Sequence, residues 1–128
     1  MGIDAVLDMC EIMDNITLLE ANNFVYKKIA IEDTSETDIL CHFDDATSYI
    51  RRCVMADRPI LVHCVVGVSR SPTIVVAYLM RYHGMGADEG IDYVQSKRSI
   101  ISPNIGFIMQ LYTYEKYLMS RCCPSTSP

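Results

Sequence analysis

A cysteine and an arginine six positions apart form the part of this sequence best suited to chemistry. Cys64 follows an apolar run at residues 60–62, and Arg70 lies just before Pro72, which opens a second apolar run at residues 73–80. Because proline is tolerated in the first turn of a helix, this pattern predicts a strand, a tight loop and then a helix. The backbone N–H groups of such a loop and of the helix start point inward and can bind an anion.

The chemistry predicted for this loop is attack by sulfur on a bound phosphate group. The helix N-terminus and Arg70 both favour the thiolate form of Cys64, which is the nucleophilic form of cysteine. Arg70 also offers a planar fork of N–H donors that can hold two phosphate oxygens. The remaining phosphate contacts are expected from backbone amides, those of Val65, Val66, Gly67, Val68, Ser69 and Arg70. The alternatives are that Cys64 is a small buried hydrophobic residue and that Arg70 belongs to a surface ion pair.

The spacing His63-Cys64-x-x-Gly67-x-x-Arg70-Ser71 resembles the signature of the cysteine-dependent protein tyrosine phosphatase superfamily. Flanking segments make the chain similar to the small, atypical dual-specificity phosphatases, namely Ala77-Tyr78-Leu79-Met80, Ser102-Pro103-Asn104-x-Gly106-Phe107, Gln110-Leu111 and Tyr114-Glu115. The likeness extends over nearly the whole chain. It implies an α/β fold, with a largely parallel central sheet flanked by helices, and a phosphocysteine intermediate.

A carboxylic acid on a second loop is needed to protonate the leaving oxygen of a phosphoester. Four carboxyl groups follow the second predicted strand, those of Glu32, Asp33, Glu36 and Asp38. The segment Ile29-Ala30-Ile31-Glu32-Asp33 is similar to the family's pattern around its acid, which assigns the role to Asp33 and leaves Glu32 as the alternative. Asp33 could instead be a solvated turn residue, a common position for aspartate.

Three further residues are expected to support the site. The resemblance implies that the hydroxyl of Ser71 donates a hydrogen bond to the cysteine sulfur; the alternative role is to cap the helix, and both roles can hold together. His63 is expected to hydrogen-bond backbone and orient the loop, because adjacent strand residues point to opposite faces. Asn104 either buttresses the phosphate loop or caps the helix that follows it.

The predicted elements place these groups at one end of a parallel sheet. Strands are predicted at residues 3–7, 24–31 and 60–62, the last of them central, and helices at about 38–55, 71–83, 87–97 and 104–119. Ser35 and Asp38 resemble a capping box before the first helix, and Gly84 should end the second. Ligands of such sheets bind beyond the carboxyl ends of the strands, which is where Cys64 falls.

The length of 128 residues predicts one domain. The resemblance implies a catalytic domain at residues 1–120, followed by a tail at residues 121–128 that is expected to be disordered. The family's first strand pair and helix have no counterpart ahead of residue 3. We therefore expect the fold to be short at its N-terminus and its sheet to be smaller than usual.

Composition narrows the expected partners. A net charge of −5 argues against nucleic acid or an anionic membrane held by bulk electrostatics, and no apolar run is long enough to span a bilayer. Six cysteines show neither a CxxC pair nor zinc-site spacing, which predicts free thiols in the cytoplasm or nucleus and no metal or cofactor. Phosphorylated proteins are the expected partners, and no particular oligomeric state is predicted.

The resemblance therefore implies a dual-specificity protein phosphatase that hydrolyses phosphotyrosine and phosphoserine or phosphothreonine. The alternative is a catalytically weak or inactive module of the same fold that binds phosphoproteins as a scaffold. A phosphatase for RNA would need a more basic surface around the site. Members of the family that act on inositol phospholipids tend to carry basic residues in this loop, so by this resemblance the absence of lysine at residues 65–69 argues against a lipid substrate.

Overall fold

Three parallel strands form the sheet of the described structure. The computed structural model describes residues 5–9, 25–64 and 68–122. The strands are β1 (Ala5–Asp8), β2 (Val25–Lys28) and β3 (Ile60–His63). Within these residues the strand order is β2-β1-β3, and both pairs are parallel. This arrangement confirms the predicted α/β fold with a largely parallel sheet.

Among the described residues, the strand that leads into the predicted phosphate loop lies at an edge of the sheet and not at its centre, where it was predicted. Strand β1 is central, with Ala5 in register with Val25 on one side and Ile60 on the other. All four residues of β1 are buried, whereas Leu61 in β3 is 43% exposed. Both strands are short apolar runs, so their local patterns could not tell which one lies in the middle.

Four α-helices and one short 3₁₀ helix lie among the described residues. They are the 3₁₀ helix (Leu40–His42), α1 (Phe43–Met55), α2 (Arg70–His83), α3 (Ala87–Lys97) and α4 (Ile105–Cys122). Each predicted helix is present, and its ends lie within three residues of the expected ones when the 3₁₀ helix is counted as the start of the first; α1 itself begins five residues after the expected start at residue 38. Helix α4 includes the first two residues of the predicted tail, and residues 123–128 lie outside the described part. None of the helices described is long and apolar enough to cross a membrane.

The helix ends explain where the connecting loops turn. Gly84 ends α2 in the left-handed region at φ 71°, which glycine adopts without steric cost, as predicted. The predicted capping box is wrong, because the side chains of Ser35 and Asp38 do not bond each other's backbone N–H groups. Asp38 Oδ1 accepts a hydrogen bond from the N–H of Cys41 at 3.1 Å, whereas Ser35 Oγ donates to the side chain of its neighbour Glu36. Asp38 therefore satisfies one N–H group at the start of the 3₁₀ helix, that of Cys41.

Helix α2 is the buried centre of the helical layers. Nine of its fourteen residues are buried, and it packs against α1, α3 and α4. The rings of Phe43 in α1 and Tyr114 in α4 lie 4.8 Å apart in the same core. Burial raises the pKa of Tyr114 to about 12, so its hydroxyl stays protonated and donates to Asp44 at 3.2 Å. This packing fixes the N-terminal end of α2 beside the end of β3.

Candidate active site

Cys64 follows β3 directly and is only 4% exposed. Its sulfur accepts a hydrogen bond from the backbone N–H of Ser71 at 3.3 Å, and Ser71 Oγ lies 3.3 Å from the same sulfur. Both groups belong to the first turn of α2, where backbone N–H groups have no partner within the helix. A thiolate at Cys64 would accept hydrogen bonds from both, and the helix dipole adds to its stabilisation.

The first turn of α2 assigns different roles to its two serines. Ser69 is the N-cap residue, and its carbonyl accepts hydrogen bonds from the N–H and the hydroxyl of Thr73 at 3.1 and 2.7 Å. Ser71 is the second residue of α2, within its first turn, and contacts the sulfur instead. The capping alternative for Ser71 is therefore wrong, because the helix begins at Arg70 rather than after Ser71.

Arg70 is the first residue of α2 and is 8% exposed, so it is not part of a surface ion pair. Its Nη1 donates a 2.8 Å hydrogen bond to the carbonyl of Ile31. Ile31 is buried and lies two residues before Asp33. This bond ties the arginine beside the phosphate loop to the chain that carries the predicted acid.

Asp33 lies in the exposed loop that follows β2 and the buried residue Ile31. Its Oδ1 accepts a hydrogen bond from Asn104 Nδ2 at 2.9 Å. The neighbouring Glu32 is also exposed, and no hydrogen bond or ion pair holds its carboxylate within the described part of the chain. Of the two predicted candidates, Asp33 is thus the carboxylate that the fold holds in place.

Asn104 combines the two roles that the sequence left open. Its Oδ1 accepts a hydrogen bond from the N–H of Phe107 at 2.9 Å and so caps α4. Its backbone N–H donates to Ser69 Oγ at 3.0 Å, next to Arg70, while its Nδ2 holds Asp33. One asparagine therefore joins the cap of α2, the start of α4 and the loop at residues 32–39 that carries Asp33, which we call the acid loop.

Two residues of α4 that the sequence did not single out, Gln110 and Gly106, contact the acid loop. Gln110 Nε2 donates to the carbonyl of Thr37 at 2.8 Å, and Gln110 Oε1 accepts from the N–H groups of Ile39 and Leu40 at 2.9 and 2.8 Å. Gly106 faces the backbone of the loop at Ser35. Both residues belong to the segments that carry the family likeness, which was the available signal, but contacts some 70 residues apart leave no local pattern.

We predict that Gly106→Ala lowers the free energy of unfolding by about 1–3 kcal/mol, the usual cost of forcing extra atoms into a packed contact. An added Cβ would lie 2.7 Å from both Cα and the carbonyl carbon of Ser35, so backbone must move. Urea denaturation would measure the loss. Gly86→Ala is the matched control, because its Cβ would meet only the flexible end of Glu115. Equal stability of the two variants would contradict the prediction.

The remaining predicted site residues are placed as follows. His63 ends β3, and its carbonyl accepts a hydrogen bond from the N–H of Met9 at 2.8 Å, while its side chain forms no hydrogen bond with the residues described. Val68 lies in the loop, and its carbonyl accepts from Ser102 at 2.7 Å. Val65, Val66 and Gly67 lie outside the described residues. No three His, Cys, Asp or Glu side chains of the described ranges could share a metal ion.

The family model of the dual specificity phosphatase catalytic domain matches residues 1–117 of this chain. The chain therefore belongs to the dual specificity phosphatase family. It is 48% identical over 95 residues to dual specificity protein phosphatase 1B of Arabidopsis thaliana, a match that covers 74% of this chain and 57% of the relative. It is 42% identical over 106 residues to human dual specificity protein phosphatase 5, covering 83% of this chain and 27% of the relative. The chain thus spans little more than half of the length of the first relative and about a quarter of the length of the second.

Solved structures show the same fold. The crystal structure of human DUSP28 superposes with a TM-score of 0.86 at 27% identity, covering 94% of this chain and 82% of that one. The crystal structure of DUSP15 gives a TM-score of 0.80 at 29% identity, covering 93% of this chain and 79% of that one. Both likenesses support the protein tyrosine phosphatase-like α/β fold.

Proposed function

We propose that this chain is the catalytic domain of a dual-specificity protein phosphatase that uses a phosphocysteine intermediate. The observation that carries the proposal is the position of Cys64, whose buried sulfur contacts the N–H and hydroxyl of Ser71 at the start of α2. Arg70 begins the same helix, and Asn104 holds Asp33 beside it. The site thus combines a nucleophile, an anion clamp and an acid.

In the first step, the thiolate of Cys64 attacks phosphorus, and a sulfur–phosphorus bond forms as the bond to the leaving oxygen breaks. The carboxylic acid of Asp33 gives its proton to that oxygen, which leaves as an alcohol or phenol. The Arg70 guanidinium and the N–H groups of the loop and helix stabilise the charge spread over the phosphoryl oxygens. The hydrogen bond to Ile31 fixes the direction of the Arg70 side chain.

In the second step, the Asp33 carboxylate takes a proton from water, which attacks the phosphocysteine. The sulfur–phosphorus bond breaks, inorganic phosphate leaves and Cys64 returns as a thiolate. The hydroxyl of Ser71, 3.3 Å from the sulfur, can donate a hydrogen bond to the leaving thiolate. Its role in this step is to make sulfur a better leaving group.

The proposed substrates are proteins phosphorylated on tyrosine, serine or threonine, as the family's name implies, and the proposed location is the cytoplasm or nucleus. The location rests on the cysteine spacing of the sequence, which predicts free thiols in a reducing compartment. We do not favour a phosphoprotein scaffold without turnover, because residues suited to every catalytic role are present.

Turnover of matched phosphopeptides tests this proposal. One peptide sequence carrying phosphotyrosine, phosphothreonine or phosphoserine is incubated with the protein, and released phosphate is measured. We expect hydrolysis of all three, and acid quenching followed by mass spectrometry should find a phosphoryl group on the peptide that contains Cys64. A folded protein that releases no phosphate from any of them would refute the proposal.

A further inference from the structure

An arginine-lined cavity lies at the end of α2 remote from Cys64. Its volume is about 240 Å³, and its walls are Arg81, Tyr82, Leu118 and Arg121. Arg81 follows Arg70 by eleven positions on α2, which places the two about 16 Å apart along the helix axis. The cavity is therefore separate from the proposed catalytic site.

The guanidinium of Arg81 is fixed in direction before any ligand binds. Its Nη1 donates to Ser48 Oγ at 2.9 Å, to Thr47 Oγ1 at 3.0 Å and to the carbonyl of Asp44 at 3.2 Å. The Asp44 carboxylate lies 3.8 Å from the same Nη1 and offsets part of the charge. Among the residues described, Nε and Nη2 of Arg81 form no hydrogen bond. This edge of the group can receive an anion at little entropic cost.

Two more arginines strengthen the positive charge at this corner. The guanidinium carbons of Arg51 from α1 and Arg81 from α2 each lie 4.9 Å from the centre of the Tyr82 ring. Arg121 comes from the last turn of α4 and lies 5.4 Å from the ring of Tyr117. Three helices thus bring cations together in a chain whose net charge is −5.

An apolar groove continues from this cavity over Leu118, which lines both. The groove has a volume of about 270 Å³ and includes Met80, Met85 and Met119, with the Glu115 carboxylate in its wall. Met119 is 64% exposed. Methionine side chains are flexible and polarisable, so such a surface adapts to different apolar groups.

We propose that the cavity and the groove together form a docking site for an acidic segment of a protein partner. A carboxylate or phosphate of the segment contacts Arg81 and Arg121, and an adjacent apolar side chain enters the methionine-lined groove. An anionic membrane fits less well, because a bilayer presents its charge over a wide plane and would face the net negative charge of the chain and Glu115. An acidic peptide can bring its carboxylates next to Arg81 and Arg121 while its apolar side chain lies beside Glu115 in the groove.

Fluorescence anisotropy with a defined probe tests this docking site. The probe is a labelled short peptide with one leucine between two glutamate pairs, and its comparison peptide has glutamine in place of glutamate. We expect the acidic peptide to bind at least about tenfold more tightly than the glutamine peptide, and its affinity to fall as salt is raised. Equal affinities for the two peptides would overturn the proposal.

Three variants of α4 test the site: two separate local recognition from net charge, and the third tests the apolar groove. Arg121→Glu is expected to weaken binding about tenfold or more. Lys116→Glu makes the same change of charge on the same helix but outside both cavities, and should change affinity less than about twofold. Met119→Ser tests the apolar half and should weaken binding without altering charge. If Lys116→Glu weakens binding as much as Arg121→Glu, attraction is not local and the proposal is wrong.

The place of binding is checked with methionine methyl groups labelled with ¹³C. We expect the signals of Met85 and Met119 to shift when the acidic peptide is added, and not when saturating vanadate is added. Peptide that vanadate displaces, or that leaves both methyl signals unchanged, would show binding elsewhere. Binding to phosphatidylserine vesicles but not to the peptide would replace the proposal with a membrane site.

Discussion

Replacing Cys64 by serine is expected to lower kcat for an aryl phosphate by at least about 10⁴-fold, as loss of a nucleophile does in other covalent enzymes. A serine hydroxyl at this position is un-ionised near neutral pH, so neither the helix dipole nor Ser71 can make it an effective nucleophile. The fold should survive, because the two side chains have the same shape and the hydroxyl can keep the contacts of the sulfur. Steady-state hydrolysis at pH 5–8, with circular dichroism as a check of folding, measures the effect.

Cys41→Ser is the matched control for this variant. Cys41 is exposed, and desolvation of its thiol together with the nearby Asp38 carboxylate raises its pKa, so that it remains protonated at neutral pH. We expect Cys41→Ser to keep normal kcat. Cys64→Ser should also still bind vanadate or phosphate, since the anion contacts come from Arg70 and backbone amides. Normal turnover by Cys64→Ser would rule out the phosphocysteine mechanism.

Replacing Asp33 by asparagine is expected to lower kcat/KM for phosphopeptides by about 10²–10⁴-fold, the usual contribution of a general acid. The basic limb of the pH–rate profile should disappear as well, because that limb reports loss of the proton from the acid. Asparagine has the shape of aspartate, and its carbonyl oxygen can still accept from Asn104 Nδ2, so the loop should keep its position. Profiles measured across pH 5–8 give both results.

Glu32→Gln distinguishes Asp33 from the other carboxylate considered for this role. We expect it to keep the basic limb and at least about half of the wild-type kcat/KM, since the structure gives its carboxylate no partner among the described residues. Loss of the basic limb in Glu32→Gln, with its retention in Asp33→Asn, would transfer the role of acid to Glu32. Thermal unfolding of both variants would exclude a simple loss of structure.

Local patterns predicted the strand, loop and helix around Cys64, because the start and end of each element leave a signal in the sequence within a few residues. The apolar run before the cysteine, Pro72 in the first turn of α2 and Gly84 at its end all act on neighbouring backbone. Resemblance to the family then added Asp33 and Ser71, whose contacts follow from the arrangement of the fold. The structure places the Cys64 sulfur 3.3 Å from Ser71 Oγ, and the roles of Asp33 and Ser71 in catalysis stay predictions.

Contacts between residues far apart in the chain could not be predicted from the sequence. The central position of β1 depends on pairing between Ala5 and Ile60, which are far apart in the chain. Asn104 and Gln110 contact a loop about 70 residues earlier, so neither could be given its full role from its own segment. The same holds for Gly106, whose small size matters only because Ser35 lies against it.

The contacts between α4 and the acid loop also determine when, during translation, Asp33 can be held in place relative to Cys64. Gln110 follows Cys64 by 46 residues, so a ribosome adding about 5–20 residues per second makes it roughly 2–9 s later. Until then, the nascent chain carries the cysteine without the helix that secures Asp33 through Asn104. We therefore expect incomplete chains to emerge before α4 holds the loop that carries Asp33, so that the proposed acid catalysis would begin only when α4 docks.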